Sequence, residues 1–210
     1  MGRFEETTRD IAVFDGSLHY NEAGEGEALI CVHGGGSGAN AWDNTKWVLE
    51  GLSARFRVLM LDLPGYAGST NLEAAPGARS ARSYARAVRG FMDALGIGPA
   101  HLFGPSMGAT PMIRLAHDQP DRVMKLVLKS PAGMGPNVLT PSPMDGILAL
   151  EAFRLAPTYE NMTELMRRFV PRKDLLTKEM IDARFASAQQ AMKLSPGDPA
   201  IDTVWERIAP

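Results

Sequence analysis

The sequence predicts an α/β fold: a mostly parallel sheet with helices on both faces and a helical subdomain appended to it. Three observations carry this. Short aliphatic runs alternate with helical patterns over the first two-thirds of the chain, as in a sheet built from strand–helix units. The main runs are continuously apolar, as strands buried on both faces are. After Ser130 the strand pattern stops, and proline-punctuated chain gives way to three amphipathic segments.

In order along the chain, Ile11–Phe14 and Leu18–Asn21 form a strand pair, with Asp15-Gly16 as the turn between them. Ala28–His33 is a buried strand that stops at three glycines, and Arg57–Leu63 is a second one, closed by Pro64-Gly65. Ala100–Phe103 and Lys125–Leu128 complete a set of six, the last four central. Tyr84, Val88, Phe91, Met92 and Leu95 fall on one helical face, with Gly96 as the stop. Met107 to His117 is a helix ended by Pro120, and the stretch around Pro76 and Gly77 is a loop. Pro131, Pro136, Pro141 and Pro143 then break the chain before helices at about Met144–Leu155, Tyr159–Phe169 and Lys178–Met192.

Composition bounds the function. The chain has 210 residues, 22 Lys+Arg against 24 Asp+Glu, a net charge of −2, 45% hydrophobic and 22% charged residues. That is an ordinary soluble globular balance, without the electrostatic footprint of a nucleic-acid or anionic-membrane binder. One cysteine, Cys31, excludes an intrachain disulfide framework and a multi-thiolate metal site. No apolar run approaches the ~20 residues of a membrane span, and the polar stretch Met1–Asp10 is no secretory signal. The expected location is cytoplasmic.

The most informative pentapeptide is Gly104-Pro105-Ser106-Met107-Gly108, a G-x-S-x-G that follows a strand and precedes a helix. This is the context of a nucleophile elbow, in which flanking glycines let the chain turn sharply and lift the serine hydroxyl above the sheet edge. The Met107 amide then faces any oxyanion formed there. Upstream, His33-Gly34-Gly35-Gly36 ends a strand, and its glycines let a backbone amide approach a carbonyl oxygen unhindered. Gly35 is assigned as the second oxyanion donor. His33 is read as a structural histidine that pins this loop, rather than as the base.

A rival pattern overlaps this loop. Gly34-x-Gly36-x-x-Ala39 follows a strand and Asp62 closes the next, as in a dinucleotide-binding fingerprint. Trp42 and Asn44 speak against a tightly packed helix there, and an oxidoreductase has no need of the Ser106 elbow.

The segments VHGGGSGANAWDN, LDLPGYAGS, MDALGIGPAHLFGPSMGA and QPDRVMKLVLKSPAGMGP resemble the meta-cleavage-product hydrolases of the α/β-hydrolase fold, over about Leu18 to Arg184. Such enzymes hydrolyse a carbon–carbon bond in ring-opened products of bacterial aromatic degradation. The resemblance implies Ser106 as nucleophile, Gly35 and Met107 as oxyanion amides, Asn44 at the dienoate end of the substrate and Arg184 on its carboxylate. It implies no metal and no organic cofactor. The expected partner is a small-molecule substrate, an anionic dienoate or an ester, with homo-oligomer formation left open. Arg184 also lies on the apolar face of its helix with Met180, Ile181, Phe185 and Ala188. There it either meets an anion in a cavity or snorkels from the edge of the stripe.

Two departures stand out. The family's elbow carries Asn before the serine where this chain has Pro105, which removes one polar contact to the substrate. That makes a carboxylesterase or lactonase of the same fold the alternative. An epoxide hydrolase or haloalkane dehalogenase needs a carboxylate where Ser106 stands. In this fold the triad runs Ser, then Asp or Glu, then His, yet His117 is the only histidine after Ser106 and no acid lies between them. The sequence thus looks like the N-terminal portion of a hydrolase, its C-terminal strands missing; a non-catalytic binding remnant is the reading if Pro210 is the natural end. The expected organisation is a hydrolase core over 1–136, a helical lid over 137–200, and the start of a return to the core over 201–210.

Overall fold

The computed structural model describes residues 4–70, 72, 81–132, 145–170 and 172–194. The expected loop at Pro76-Gly77, the prolines 136, 141 and 143, the first residues of the lid and the return over 201–210 lie outside the described residues.

A short helical turn, α1 (Phe4–Thr7), leads into the hairpin β1 (Thr8–Val13) and β2 (Gly16–Ala23), followed by β3 (Glu27–Val32), β4 (Phe56–Leu61), β5 (Ala100–Pro105) and β6 (Val123–Lys129). The six strands lie in the order β1-β2-β4-β3-β5-β6. β1, β2 and β4 pair antiparallel, whereas β4, β3, β5 and β6 run parallel. The helices are α2 (Ala41–Thr45), α3 (Leu49–Ser53), α4 (Ala81–Ala94), α5 (Ala109–Asp118), α6 (Asp145–Leu155), α7 (Tyr159–Phe169) and α8 (Lys178–Leu194).

Strand alternation divides the central apolar runs between two cores. Ile30, Val32, Leu59, Leu61 and Leu102 pack on Tyr84, Val88, Phe91 and Met92 of α4 and on Met112 and Leu115 of α5. Leu29, Cys31, Val58 and Met60 face the other way, onto Ala41 of α2 and Leu49 of α3. That is why these runs are apolar without interruption. A third cluster, Leu150, Phe153, Met162, Leu165 and Ile181, joins α6, α7 and α8.

Three expectations need correction. The hairpin turn is Phe14-Asp15, because Gly16 pairs with Val13 and belongs to β2. Phe14 takes the left-handed φ of 55°, while Gly16 is needed for a close approach: a Cβ there would lie 2.6 Å from Leu72 Cδ2 and run into Thr70 Oγ1. α5 starts at Ala109, after a single 3-10 turn over Ser106–Gly108. β6 is not central but outermost among the described strands, with Met124 and Val127 exposed.

Candidate active site

β5 delivers Ser106 to its carboxyl end, and there the chain reverses into α5. Ser106 adopts φ 49°, a left-handed backbone that costs a non-glycine residue about 1–3 kcal/mol and persists only where its surroundings impose it. Both flanking glycines are required by contact. A Cβ on Gly104 would lie 2.5 Å from the Gly108 carbonyl oxygen, and one on Gly108 would meet the His33 carbonyl oxygen and lie 2.7 Å from Val32 Cγ2. The helix thus enters hard against β3 and β5, and Ser106 is left exposed at the top of the turn.

The loop after β3 lies against this elbow. A Cβ on Gly34 would be 3.4 Å from Ser106 Cβ, and one on Gly35 would be 3.3 Å from Met107 Cβ. Met107 is itself buried, so what it offers is its backbone N–H in the first turn, where amides have no partner within the helix. Gly35 and Met107 are therefore neighbours, as two donors to one oxyanion must be.

The loop is pinned from behind. His33 is buried, its Nδ1 donating to the Gly34 carbonyl at 2.7 Å and its Nε2 accepting from Leu63 N–H at 3.0 Å. Burial holds its pKa below the usual histidine value, against the pull of Asp62. Both ring nitrogens are spent on backbone. Asn44 Oδ1 accepts from Gly34 N–H at 3.2 Å, which leaves its amide NH2 as the group for a ligand.

The dinucleotide alternative fails at Asp62. Its Oδ1 accepts from Ala41 N–H at 2.7 Å and its Oδ2 pairs with His19 Nδ1 at 2.8 Å. This carboxylate braces α2 and β2 and is buried, out of reach of a ribose. Moreover, the helix after the glycines opens only at Ala41, capped by Asn40.

A cavity of about 500 Å3 opens over the elbow, lined by Gly34, Gly35, Asn44, Pro105, Ser106, Lys129, Ser130, Phe169 and Arg184, among others. α7 and α8 thus contribute Phe169 and Arg184 to its wall. Arg184 donates from Nε to the Ser37 carbonyl at 2.9 Å, and burial lowers its pKa while Asp43 and Tyr66 oppose the shift. A guanidinium remains charged in any protein setting. Of the sequence-predicted residues, Ser106, Gly35, Asn44 and Arg184 line one cavity, and Met107 adjoins Gly35.

No histidine is placed to serve Ser106. Besides His33, His19 is held between Asp62 and Thr8 Oγ1. His101 sits near the start of β5 with its Nε2 3.0 Å from Glu27. His117 is exposed beside Asp118, eleven residues from Ser106 and roughly 16 Å away along a helix. Among the described residues, no cluster of His, Cys, Asp or Glu is arranged to hold a metal ion. No helix among them is long and apolar enough to cross a membrane.

Residues 27–189 match the family pattern of the alpha/beta hydrolase fold. The chain belongs to the α/β-hydrolase family. It is 38% identical over 174 residues to a 2-hydroxy-6-oxo-6-phenylhexa-2,4-dienoate hydrolase of Comamonas testosteroni. Over 176 residues it is 37% identical to a 2-hydroxy-6-oxononadienedioate/2-hydroxy-6-oxononatrienedioate hydrolase of the same organism. Each alignment covers 82% of this chain and 60% of the relative, so the chain spans about 60% of the length of these curated relatives. The fold of this chain superposes with a TM-score of 0.78 on a meta-cleavage product hydrolase from Pseudomonas fluorescens IP01. That match has 26% identity and covers 97% of this chain and 73% of the other.

Sequence reasoning missed Lys129, Ser130 and Phe169 of the cavity, and the brace formed by Asp62. Lys129 carried a signal, being a cation that ends an apolar strand beside the elbow. Phe169 carried none, since it reads as one more apolar residue of α7.

Proposed function

We propose that the protein is a serine-nucleophile hydrolase that cleaves a carbon–carbon bond in ring-opened dienoate products of aromatic degradation. The observation that carries this reading is the convergence of four features on one cavity: a strained, exposed Ser106, the adjoining Gly35 and Met107 amides, Asn44, and the charged Arg184. A nucleophile beside two amides serves acyl transfer; a half-buried cation on α8 selects an anionic substrate. The names of the relatives support the dienoate in particular.

In this reading the dienol is first ketonised, with Arg184 holding the carboxylate and Asn44 the adjacent dienoate end. Ser106 Oγ then adds to the remote carbonyl, whose oxygen takes the negative charge between Gly35 N–H and Met107 N–H. The carbon–carbon bond breaks, its electron pair passing into the dienoate fragment, which takes up a proton. Water then hydrolyses the acyl–serine ester. A proton acceptor for Ser106 is also required, and it is none of the four histidines of this sequence. The buried free thiol of Cys31 fits a reducing, cytoplasmic setting.

The test follows the absorbance of a ring-opened dienoate and, in parallel, hydrolysis of p-nitrophenyl acetate. Dienoate cleavage that disappears in Ser106→Ala is expected. Ester turnover without dienoate cleavage would replace this reading by the esterase one, for which Pro105 speaks. Sound folding with activity toward neither would leave a binding protein.

A further inference from the structure

Lys129 stands in the Ser106 cavity and has no counterpart in the roles assigned so far. It ends β6 as the register partner of Pro105 at the end of β5. Register partners in adjacent strands project from the same face, and both residues line the cavity. Among the described residues no hydrogen bond or ion pair engages the Lys129 ammonium, although the same face of β6 is open to solvent at Lys125 and Val127. Among the described residues, those lining the cavity include Arg184 and Lys129 and no carboxylate. Asp43, which acts on Arg184 electrostatically, is bonded to Lys46 at 2.5 Å. The cavity therefore holds two positive charges at the nucleophile, and none of its described lining residues neutralises either.

We propose that Lys129 is a specificity-determining residue, the second anion contact of this cavity, and that it selects substrates bearing two negative charges. The inference rests on the hydrolase reading above. It also answers the loss at Pro105: a proline offers the substrate neither a side-chain donor nor an amide, and the lysine across the strand pair supplies a donor on the same face. One carboxylate satisfies Arg184, whose planar fork suits it. The second charge is either another carboxylate at the far end of the substrate or the ionised enol oxygen beside the first. Both are oxyanions within reach of a flexible ammonium.

The experiment compares kcat/KM for a 6-phenyl dienoate, which has one carboxylate, and for a dienedioate, which has two, in wild type, Lys129→Met and Lys129→Arg. Lys129 is exposed, so the variants keep the fold, which circular dichroism checks. If the second charge is the far carboxylate, Lys129→Met loses about tenfold or more on the dienedioate and under about twofold on the phenyl substrate. If it is the enolate, both substrates lose alike, and the loss vanishes at a pH where the enol is protonated. In either case Lys129→Arg recovers most of the rate, and added salt shrinks the effect. A loss below twofold on both dienoates, or an equal loss on neutral p-nitrophenyl acetate, overturns the proposal. Should wild type cleave neither dienoate, the carbon–carbon hydrolase reading fails separately. Lys129 is then judged by inhibition of ester hydrolysis, where adipate must outcompete hexanoate in wild type but not in Lys129→Met.

Discussion

Replacing Arg184 by methionine separates the two tasks the structure gives this side chain. One is structural, the 2.9 Å bond from Nε to the Ser37 carbonyl in the loop that carries Gly35. The other is the positive charge on the cavity wall. A hydrogen bond to a charged group contributes about 1.5–3 kcal/mol. At 1.36 kcal/mol per decade, Arg184→Met should lower kcat/KM for a carboxylate-bearing dienoate by roughly 10- to 150-fold. For p-nitrophenyl acetate, which carries no charge, kcat/KM should change by less than about threefold, because only the loop anchor is lost. That anchor is a bond from a charged group, and urea unfolding should show a cost of about 1.5–3 kcal/mol. Arg184→Lys keeps the charge but not the planar fork, so its dienoate rate should fall between wild type and Arg184→Met. An equal loss on both substrates would refute the reasoning, since Arg184 would then act by shaping the loop. An unchanged dienoate rate would refute it as plainly, since no anion would then meet the guanidinium.

Gly108 has an ordinary helical φ of −63°, so Gly108→Ala probes contact alone; its collision with the His33 carbonyl and Val32 should cost about 1–3 kcal/mol in urea unfolding. Gly51→Ala is the control: nothing lies within 4 Å of that Cβ, and the change should stabilise by about 0.4–1 kcal/mol. For His19, burial is the largest single influence and lowers the pKa, but the bond to Asp62 and the charges of Asp62 and Asp10 together raise it. A raised folded pKa contributes stability that is complete below the unfolded value of ~6.5 and is lost as pH rises through the folded value. The gap in unfolding free energy between wild type and Asp62→Asn should therefore be widest below about pH 6.5 and shrink above it; a flat gap would remove the ion pair from the account. Burial pushes the Cys31 thiol up to about 12, so iodoacetamide should label it only as fast as the protein unfolds, and fast labelling in the native state would contradict the packing of β3.

What the sequence made legible were contacts between residues close along the chain or repeated with a fixed period. The runs at Ala28–His33 and Arg57–Leu63 are apolar because β3 and β4 carry a core on each face. The elbow was legible because its parts are contiguous: Gly104 and Gly108 are both glycine for one reason, the close crossing of α5 over β3 and β5. Long-range contacts left weaker marks. Gly16 looked like a turn residue, yet its partner is Thr70, whose hydroxyl accepts from Ser17 N–H at 2.8 Å. Asp62 looked like a ribose ligand because nothing in its neighbourhood announces His19 or Ala41, which take both its oxygens. β6 looked central because Leu126 and Leu128 are apolar, but the alternate residues Lys125, Val127 and Lys129 lie on an open face.

α8 and the loop after β3 are a single mechanical unit, which explains why the loop needs glycine at Gly38. Gly38 takes φ +73°, and a Cβ there would run into the Arg184 carbonyl oxygen and lie 3.1 Å from Ala188 N. The backbone of α8 therefore rests directly on the loop. Two side chains tie the contact, Arg184 to the Ser37 carbonyl and Asn40 Nδ2 to Ser187 Oγ at 3.4 Å. Asn40 also caps α2 through Asp43 N–H at 2.7 Å, and α2 carries Asn44 onto the Gly34 amide. A displacement of α8 is thus transmitted through a helix cap to the residue preceding Gly35. The left-handed backbone of Ser106 is held by the close contacts that β3, the loop and α5 make at Gly34, Gly104 and Gly108. Changes at Asn40, Asn44, Gly38 and Arg184 consequently act on one shared geometry, and their effects on the site are coupled rather than additive.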